Sequence, residues 1–390
     1  MKKQLTTEKI PICLWLDDIE EGALEQARHL ANLPFAFHHV AIMPDAHQGY
    51  GMPIGGVLAT RGVVIPNAVG VDIGCGMCAV RTSLGEVPQE MLRKVMSGIR
   101  RAVPLGFKHH PKALPADRLP PLPPDPEQAL PVVAQEFRSA RAQVGTLGGG
   151  NHFIEIQRGS EGRIWIMVHS GSRNLGYKVA GHYNRLAVRM APAMRVQVPR
   201  NWQLAYLPLD SREGNLYLEE MRYCVEFALA NRREMMERIQ EVFVDLLGPV
   251  DFGDLINIAH NYAALERHYG QEVMVHRKGS TRARRGETGI IPGSQGSVSY
   301  IVRGLGNPAS FHSCSHGAGR IMGRRQAQRV LDLAEEKKKL DSRHILHAIR
   351  HRRDLDEAPG AYKDIGQVMR NQEDLVEIVE VLQPLAVIKG

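Results

Sequence analysis

Apolar and polar positions along the 390-residue chain switch repeatedly between a helical and a strand period. Apolar residues three and four apart predict helices over residues 20–33, 88–102, 176–194, 214–247 and 317–339. Apolar or alternating runs predict strands within residues 38–51, 55–84, 151–157, 163–171, 272–279 and 296–304. In the first of these, a short buried strand is expected to give way to a polar, glycine-rich turn.

Two segments depart from these periods. Residues 109–131 are dense in proline and cannot form a regular helix or a central strand, so they are expected to make a surface excursion. Residues 374–390 are apolar almost to the last position and are expected to be packed. Because strands and helices are interleaved irregularly, with no repeat or clear linker, the sequence predicts one mixed α/β domain of the α+β class over residues 1–390.

Charge and cysteine content narrow the functional classes. The chain has 49 Lys and Arg against 42 Asp and Glu, a net charge of +7. This balance favours anionic partners such as nucleic acid or nucleotides, although a mildly basic soluble enzyme would show the same charge. Five scattered cysteines do not resemble a disulfide framework, and we expect neither a signal peptide nor a membrane helix. A cytoplasmic enzyme is the expectation.

Residues suited to bind metal recur beside glycines at the ends of predicted strands. A single buried histidine is more often a hydrogen-bonded core residue, but the chain supplies a carboxylate, a thiolate and three imidazoles in this setting, which suit zinc or a transition metal. These candidates are Asp72, Cys75, His152, His169 and His260. Cys78 completes a CxxC motif with Cys75, but it opens an apolar strand and is expected to be a core thiol.

Several long motifs occur in one order along the chain and carry a family resemblance. They are MPDAHQGYGMPIGG, VGVDIGCGM, GGGNHFIEI, HSGSRNLG, HNYA, HRKGSTRA, IPGSQGS, CSHGAGR, APGAYKD and the final IKG. From about Met43 to Gly390 the chain resembles the RtcB-type RNA ligases. The resemblance implies one α/β domain around a deep cleft and two manganese ions held by the five candidate ligands. It also implies GTP-dependent joining of an RNA 3′-phosphate or 2′,3′-cyclic phosphate to a 5′-hydroxyl.

The same resemblance assigns roles to further residues. His316 matches the histidine that carries GMP, in a turn where glycines let backbone amides approach a phosphate. A helix starting near residue 317 is expected to add its dipole to that site, and Arg320 to clamp the anion. Glu155 and Lys389 match the positions that select guanine, and Phe153 and Tyr362 are candidates to stack on the base, although each could equally be a core residue.

The implied sites are larger than these few positions. The GTP or GMP site is expected to hold Asn151, Phe153, Glu155, Asn261, Pro292, Gly293, Ser294, Gln295, Ser299, Gly317, Ala318, Gly319 and Lys389. The candidate RNA or phosphate contacts are Asp45, His47, Arg173, Lys278 and Arg320. Two basic runs, 277–285 and 323–329, are further candidates for the RNA backbone, although charge runs are more often solvated faces.

Some features depart from the family pattern or leave alternatives open. Gly323 stands where serine is common and Gln295 where methionine is common, and the proline-rich segment is individual. A dinuclear metal phosphoesterase would explain the metal ligands but would give His316 no role. A non-catalytic RNA-binding protein would explain the basic charge but not five metal ligands. The RNA substrate is open, with repair of cleaved RNA preferred over tRNA splicing, as are an accessory protein and the oligomeric state.

Overall fold

A computed structural model describes all residues from Met1 to Gly390 and shows strands and helices interleaved along the chain. The strands are β1 Lys3–Leu5, β2 Ile12–Leu14, β3 Ala36–Tyr50, β4 Met52–Thr60, β5 Val63–Val64, β6 Gly76–Arg81, β7 Phe153–Gly159, β8 Ile164–Ser170, β9 Leu207–Pro208, β10 Ile256–Ala259, β11 Asn261–His268, β12 Gln271–Lys278, β13 Ser280–Arg282, β14 Thr288–Ile291, β15 Ser299–Gly304, β16 Ser313–Ser315 and β17 Val376–Lys389. The α-helices are α1 Glu21–Ala31, α2 Pro66–Val69, α3 Gln89–Ala102, α4 Pro126–Ala129, α5 Pro131–Gln143, α6 Arg173–Met190, α7 Arg212–Leu247, α8 Arg324–Val330, α9 Leu333–Asp341 and α10 Ile365–Arg370. The predicted mixed α/β class is confirmed.

The first large sheet has six strands in the order β1-β2-β3-β4-β12-β11. Its longest strand, β3, continues to Tyr50, so the expected early turn after a short strand is wrong. The polar end of β3 stays in the sheet because β4 folds back on it directly, with His47 opposite Ile54 and Tyr50 opposite Met52. Irregularities in this pairing let the polar residues leave the regular alternation without leaving the strand.

The second large sheet has seven strands in the order β10-β6-β8-β7-β17-β15-β14, all antiparallel. Strand β17 lies inside it, between β7 and β15, so the expectation of a packed terminal segment is confirmed. The paired strands predicted at 151–157 and 163–171 are β7 and β8. At one end of the strands in this sheet, Ala259 pairs with Gly76 and Phe153 pairs with His169. This pairing brings four distant chain segments together.

Helices cover the sheets and bury most of the core. The 36-residue α7 begins where the Ser211 hydroxyl accepts a hydrogen bond from Gly214 N–H, and it ends at Gly248 with a φ of 85°. Its buried side, with Tyr217 and Phe243, belongs to two large apolar clusters. The helices predicted over 20–33, 88–102, 176–194 and 214–247 are confirmed as α1, α3, α6 and α7. None of the helices has the length and apolar character needed to cross a lipid bilayer.

The helix predicted over 317–339 is wrong in its first part. Residues 316–323 form a loop, and α8 begins only at Arg324. The loop cannot be helical because Gly319 has a φ of 74°. A second break separates α8 from α9, where Asp332 caps the new helix by accepting from Glu335 N–H.

The proline-rich segment 109–131 has little regular structure. It contains a single 3-10 turn at Ala116–Arg118 and the four-residue α4. Leu119 and Leu130 are nevertheless buried in the cluster that contains α6 and α7. Two apolar side chains therefore hold the segment against the helical layer.

Candidate active site

Four chain segments bring the predicted metal ligands together. Cys75 immediately precedes β6, and His260 lies between β10 and β11, where its backbone N–H donates to the Cys75 carbonyl at 2.8 Å. The Cys75 Sγ lies 3.5 Å from His152 Nε2 and 3.3 Å from His169 Nε2. His152 Nε2 is in turn 3.1 Å from an Asp72 carboxylate oxygen. Because neighbouring antiparallel strands begin and end at the same end of the sheet, ligands far apart in sequence meet there.

The ligand atoms form two overlapping triads. One triad is Asp72, Cys75 and His152, and the other is Cys75, His169 and His260. Within each triad the candidate ligand atoms lie within 4.8 Å of one another. His260 Nδ1 is buried without a hydrogen-bond partner. A thiolate shared by two triads suits a pair of divalent ions, since it can bridge them, and the donor set fits such ions.

Burial controls the protonation of this cluster. It raises the pKa of the Cys75 thiol well above its usual value, and the charge of Asp72 raises it further. Burial also lowers the pKa of His169 and of His260 well below their usual values. The histidines are therefore neutral and ready to donate lone pairs to a cation, and the thiol gives up its proton when a cation binds.

His316 lies beside the candidate metal ligands and is held by a buried carboxylate. The His316 and His260 ring centroids are 4.8 Å apart. His316 Nδ1 is 2.6 Å from Asp45 Oδ2, which also accepts hydrogen bonds from the backbone N–H groups of His316 and Gly317. Burial acts to raise the pKa of Asp45, but the charge and hydrogen bond of His316 outweigh it, so this pKa is lowered. The expected RNA contact at Asp45 is wrong, since its side chain is fully buried.

A cavity of about 630 Å³ is lined by His316 and by one candidate ligand, His169. This volume is in the range of ligand-binding pockets. Most of the predicted nucleotide contacts line it, together with His316, His169, His47, Arg320 and Tyr362. The lining members of the predicted GTP set are Asn151, Phe153, Glu155, Pro292, Gly293, Ser294, Gln295, Gly317, Ala318, Gly319 and Lys389.

One wall of the cavity presents an unpaired acceptor. Glu155 is buried, and its Oε1 has no hydrogen-bond partner, while its Oε2 accepts from the Gln157 amide at 3.0 Å. Burial raises the pKa of Glu155 well above its usual value despite the opposing charge of Lys389. A buried carboxyl oxygen without a partner favours a ligand with a polar edge that can form the missing hydrogen bond.

Glu357 is a cavity residue that the sequence did not reveal. Its carboxylate lies 3.0 Å from Arg320 Nη1, 3.2 Å from Arg324 Nε and 3.3 Å from Lys389 Nζ, and it accepts a hydrogen bond from the Tyr362 hydroxyl. The guanidinium of Arg320 is therefore paired with Glu357 and is not free to clamp an anion in this conformation. No sequence pattern distinguishes Glu357 from other acidic residues, so its contacts with these basic side chains become evident only in the fold.

Two predicted nucleotide contacts lie behind the cavity wall. The Asn261 amide donates to the Asp72 carbonyl at 3.1 Å and accepts from Gly279 N–H at 2.7 Å. The Ser299 hydroxyl accepts from Gly293 N–H at 3.1 Å. Neither residue lines the cavity. Ser299 supports Gly293, which does, whereas Asn261 links the backbone of the candidate ligand Asp72 to Gly279.

Two basic candidates are held by neighbouring groups of the protein. Lys278 is buried and donates to the Tyr50 and Asn67 carbonyls, and burial lowers its pKa to about 7, so the expected RNA contact is wrong. Arg173 has its Nη1 3.3 Å from His152 Nδ1 and therefore lies against the metal cluster.

The basic run 277–285 is largely structural. Arg277 is fully buried and binds Glu266 through two guanidinium nitrogens, and Arg282 pairs with Glu287. The run is therefore not the solvated strip that its composition suggested. In the second run, by contrast, Arg324, Arg325 and Arg329 are exposed.

Three further residues considered in the sequence do not line the cavity: Cys78, His312 and Cys314. Cys78 is buried, and burial raises the pKa of its thiol to about 12. Cys314 is a buried residue of β16, and His312 packs against His268. The prediction that Cys78 is a core thiol is confirmed.

Comparisons with known proteins agree on one family. The family described as "tRNA-splicing ligase RtcB" matches residues 26–119 and 125–390, and the gap lies in the proline-rich segment. The chain is 38% identical over 410 residues to "RNA-splicing ligase RtcB" of Escherichia coli (strain K12), covering 99% of both chains. It is 32% identical over 451 residues to "tRNA-splicing ligase RtcB" of Thermococcus kodakarensis, covering 95% of this chain and 92% of that one. It is 33% identical to "RNA-splicing ligase RtcB" of Mycobacterium tuberculosis, covering 94% of this chain and all of the relative.

Proposed function

The chain belongs to the RtcB family and is an RNA ligase, and from that premise we propose that it activates an RNA 3′-phosphate with GMP carried on His316. The products are a 3′,5′-phosphodiester, pyrophosphate and GMP. The observation that carries this proposal is the position of His316. It lines the cavity, is hydrogen-bonded to buried Asp45, and has its ring centroid 4.8 Å from that of a metal-ligand candidate, His260.

The hydrogen bond to Asp45 decides which nitrogen of His316 reacts. Asp45 Oδ2 already accepts from the backbone N–H groups of His316 and Gly317, so it is an acceptor, and His316 Nδ1 carries the proton that it donates. Nε2 is then left with the lone pair. The carboxylate also stabilises the positive charge that develops on the imidazole when Nε2 forms a bond.

In each proposed step, one bond to phosphorus forms and one breaks. Nε2 of His316 attacks the α-phosphorus of GTP, a P–N bond forms, and pyrophosphate leaves with the electrons of the broken P–O bond. An oxygen of the RNA 3′-phosphate then attacks the same phosphorus, and the P–N bond breaks. The 5′-hydroxyl of the second RNA end attacks the RNA 3′-phosphorus, loses its proton to water, and GMP leaves. A 2′,3′-cyclic phosphate first takes up water across one P–O bond to become a 3′-phosphate.

The two triads would hold two divalent ions beside these reactions. When bound, such ions supply charge neutralisation on the phosphoryl oxygens. We assign manganese from the family resemblance, because the thiolate and imidazole donors would themselves bind zinc at least as tightly.

Guanine selection is assigned to the buried wall of the cavity. The free Glu155 Oε1 can accept from the N1–H and 2-amino group of guanine, and the Lys389 ammonium, which lines the same cavity, can donate to O6. Adenine lacks the 2-amino group and carries an acceptor at N1, so it would leave Glu155 unpaired.

A ligation assay tests this proposal against a dinuclear phosphoesterase. An RNA with a 3′-phosphate and a second RNA with a 5′-hydroxyl are incubated with the protein, manganese and either GTP or ATP. We expect joined product with GTP only, none with His316→Ala, and near-normal product with His312→Ala, a histidine of the same segment outside the cavity. Loss of the phosphate without joining, undiminished in His316→Ala, would support the phosphoesterase instead.

A further inference from the structure

Exposed arginines form one basic surface beside the cavity mouth. They come from α8 and from residues 350–353, and we call this surface the arginine platform: Arg325, Arg329, Arg350, Arg352 and Arg353. The two segments are joined by side-chain hydrogen bonds. Arg352 donates to the Gln328 and Arg329 carbonyls, each at 2.8 Å, and the Gln328 amide donates to the Arg353 carbonyl at 2.8 Å.

The platform is continuous with the cavity. Arg324 and Gln326, from the first turn of α8, line the cavity wall. Arg325 and Arg329 are one helical turn apart and therefore share a side of α8. The platform therefore begins next to residues that line the cavity.

Four of the five arginine side chains in the platform have no acidic partner. Among its five arginines, Arg353 alone has a carboxylate within 4.0 Å, that of Asp354 at 3.6 Å. Arg81, Arg222 and Arg303 each have a glutamate within 3.4 Å. Arg185, Arg189 and Arg195 are also exposed and unpaired, but they belong to no segment that lines the cavity, so the position of the platform distinguishes it. Like charges one turn apart destabilise a helix, so the Arg325–Arg329 pair is unfavourable without an anion.

The positive field extends beyond the two segments. Burial and then the charge of nearby Arg350 lower the pKa of Arg100 on α3. The guanidinium groups of Arg100 and Arg350 are thus close enough to repel each other. A polyanion laid across the surface would relieve this repulsion.

We propose that the arginine platform binds backbone phosphates of the RNA strand whose 3′ end enters the cavity. This inference rests on the proposed ligase function. Guanidinium groups pair with phosphate through two parallel N–H bonds, which suits a strand that must be held independently of its sequence. Arg352 positions the platform by capping α8, and the other four arginines carry the phosphate contacts.

The test removes three of these charges in the full-length protein. The variant is Arg325→Ala/Arg329→Ala/Arg353→Ala. The matched control is Arg185→Ala/Arg189→Ala/Arg195→Ala, which removes three exposed arginines without acidic partners from α6 and the turn after it. Two quantities are measured: the affinity for a fluorescent 20-nucleotide RNA with a 3′-phosphate across a range of salt concentrations, and the yield of GMP attached to His316.

The platform variant should bind the RNA at least tenfold more weakly at low salt, with a salt slope reduced by about 2, since each lost phosphate contact on a single strand is worth about 0.7. Its yield of attached GMP should equal that of the parent, and the control should keep the parental RNA affinity. Affinity for a trinucleotide ending in a 3′-phosphate should not change.

Three results would overturn the inference: unchanged RNA affinity in the platform variant, an equal loss in the control, or an equal loss for the trinucleotide. The first would indicate a different anionic partner, such as an acidic protein surface. Absence of attached GMP in the parent protein would instead contradict the proposed function.

Discussion

At the scale of single residues, the site depends on buried groups whose partners fix their chemistry. Asp45 accepts three hydrogen bonds from the His316–Gly317 segment through one oxygen and thereby sets both the position and the tautomer of His316. The sequence placed Asp45 in a shared motif but could not show this contact, because 271 positions separate the two residues. The fold was needed to turn a candidate RNA contact into a positioning residue.

Asp45→Asn should therefore impair the first chemical step. The amide can present N–H groups where the carboxylate accepts, so His316 would lose its favoured tautomer. We expect formation of the GMP adduct to slow by up to about 10⁴-fold, the loss seen when a carboxylate that orients a catalytic histidine is replaced by an amide. The dependence of the rate on pH should also shift, which a purely structural defect would not produce. A rate and a pH profile like those of the parent would contradict the assigned role.

Cys75 should be indispensable for both metal positions because its sulfur is common to the two triads. Metal content after dialysis, measured by mass spectrometry, should fall from two ions per chain to none in Cys75→Ala. Cys78→Ala, a buried cysteine three positions along, is the matched control and should keep both ions. Retention of one full ion in Cys75→Ala would show that the thiolate is not shared.

At the scale of elements, residues 316–323 form a loop where the sequence predicted the first turn of a helix. The composition of the segment suggested a helix from residue 317, but α8 begins at Arg324. The helix therefore begins eight residues beyond His316, and not directly after it as expected. The loop instead wraps around Asp45, and the backbone amides of His316 and Gly317 point to that carboxylate.

Gly319→Ala should disrupt this loop. Gly319 has a φ of 74°, and a Cβ there would collide with the Asp45 backbone. The left-handed conformation alone costs an alanine about 1–2 kcal/mol. Displacement of Asp45 should lower adduct formation by about 10²-fold, since small misplacements of reacting groups are costly.

Gly323→Ala is the control for this change. It lies in the same loop, with open space around its Cβ position and no positive φ. It should form the adduct at nearly the parental rate and unfold at the parental temperature. If the two variants behaved alike, the close approach of Gly319 to Asp45 would not be important.

At the scale of the whole molecule, the features that depend on local order could be predicted from the sequence. Periodicity located α1, α3, α6, α7 and the strands around the ligands. Local patterns could not show which charges are buried by long-range contacts. Arg277 and Lys278 belong to a run that resembles a nucleic-acid patch, yet the fold buries both. The role of Glu357 likewise arises only when the terminal strand β17 brings Lys389 beside it.

Stability should depend on pH through buried histidines. His276 is fully buried, Ile65 N–H donates to its Nε2, and burial lowers its pKa from 6.5 to about 4. Because the folded state disfavours the charged form, its contribution is complete above pH 6.5 and is lost as the pH falls towards 4. This contribution is about 3 kcal/mol. Chemical unfolding at several pH values should show that His276→Gln is less stable than the parent at pH 7 but loses less stability on acidification. Parallel curves would contradict a neutral buried His276.

The central claim is that His316 carries GMP, and one measurement addresses it directly. The purified protein is incubated with manganese and GTP labelled at the α-phosphate, digested under mildly alkaline conditions, and analysed by mass spectrometry. We predict an acid-labile GMP adduct on the peptide that contains His316, absent with ATP and absent in His316→Ala. A GMP adduct on another residue, or one that survives in His316→Ala, would contradict the proposed chemistry.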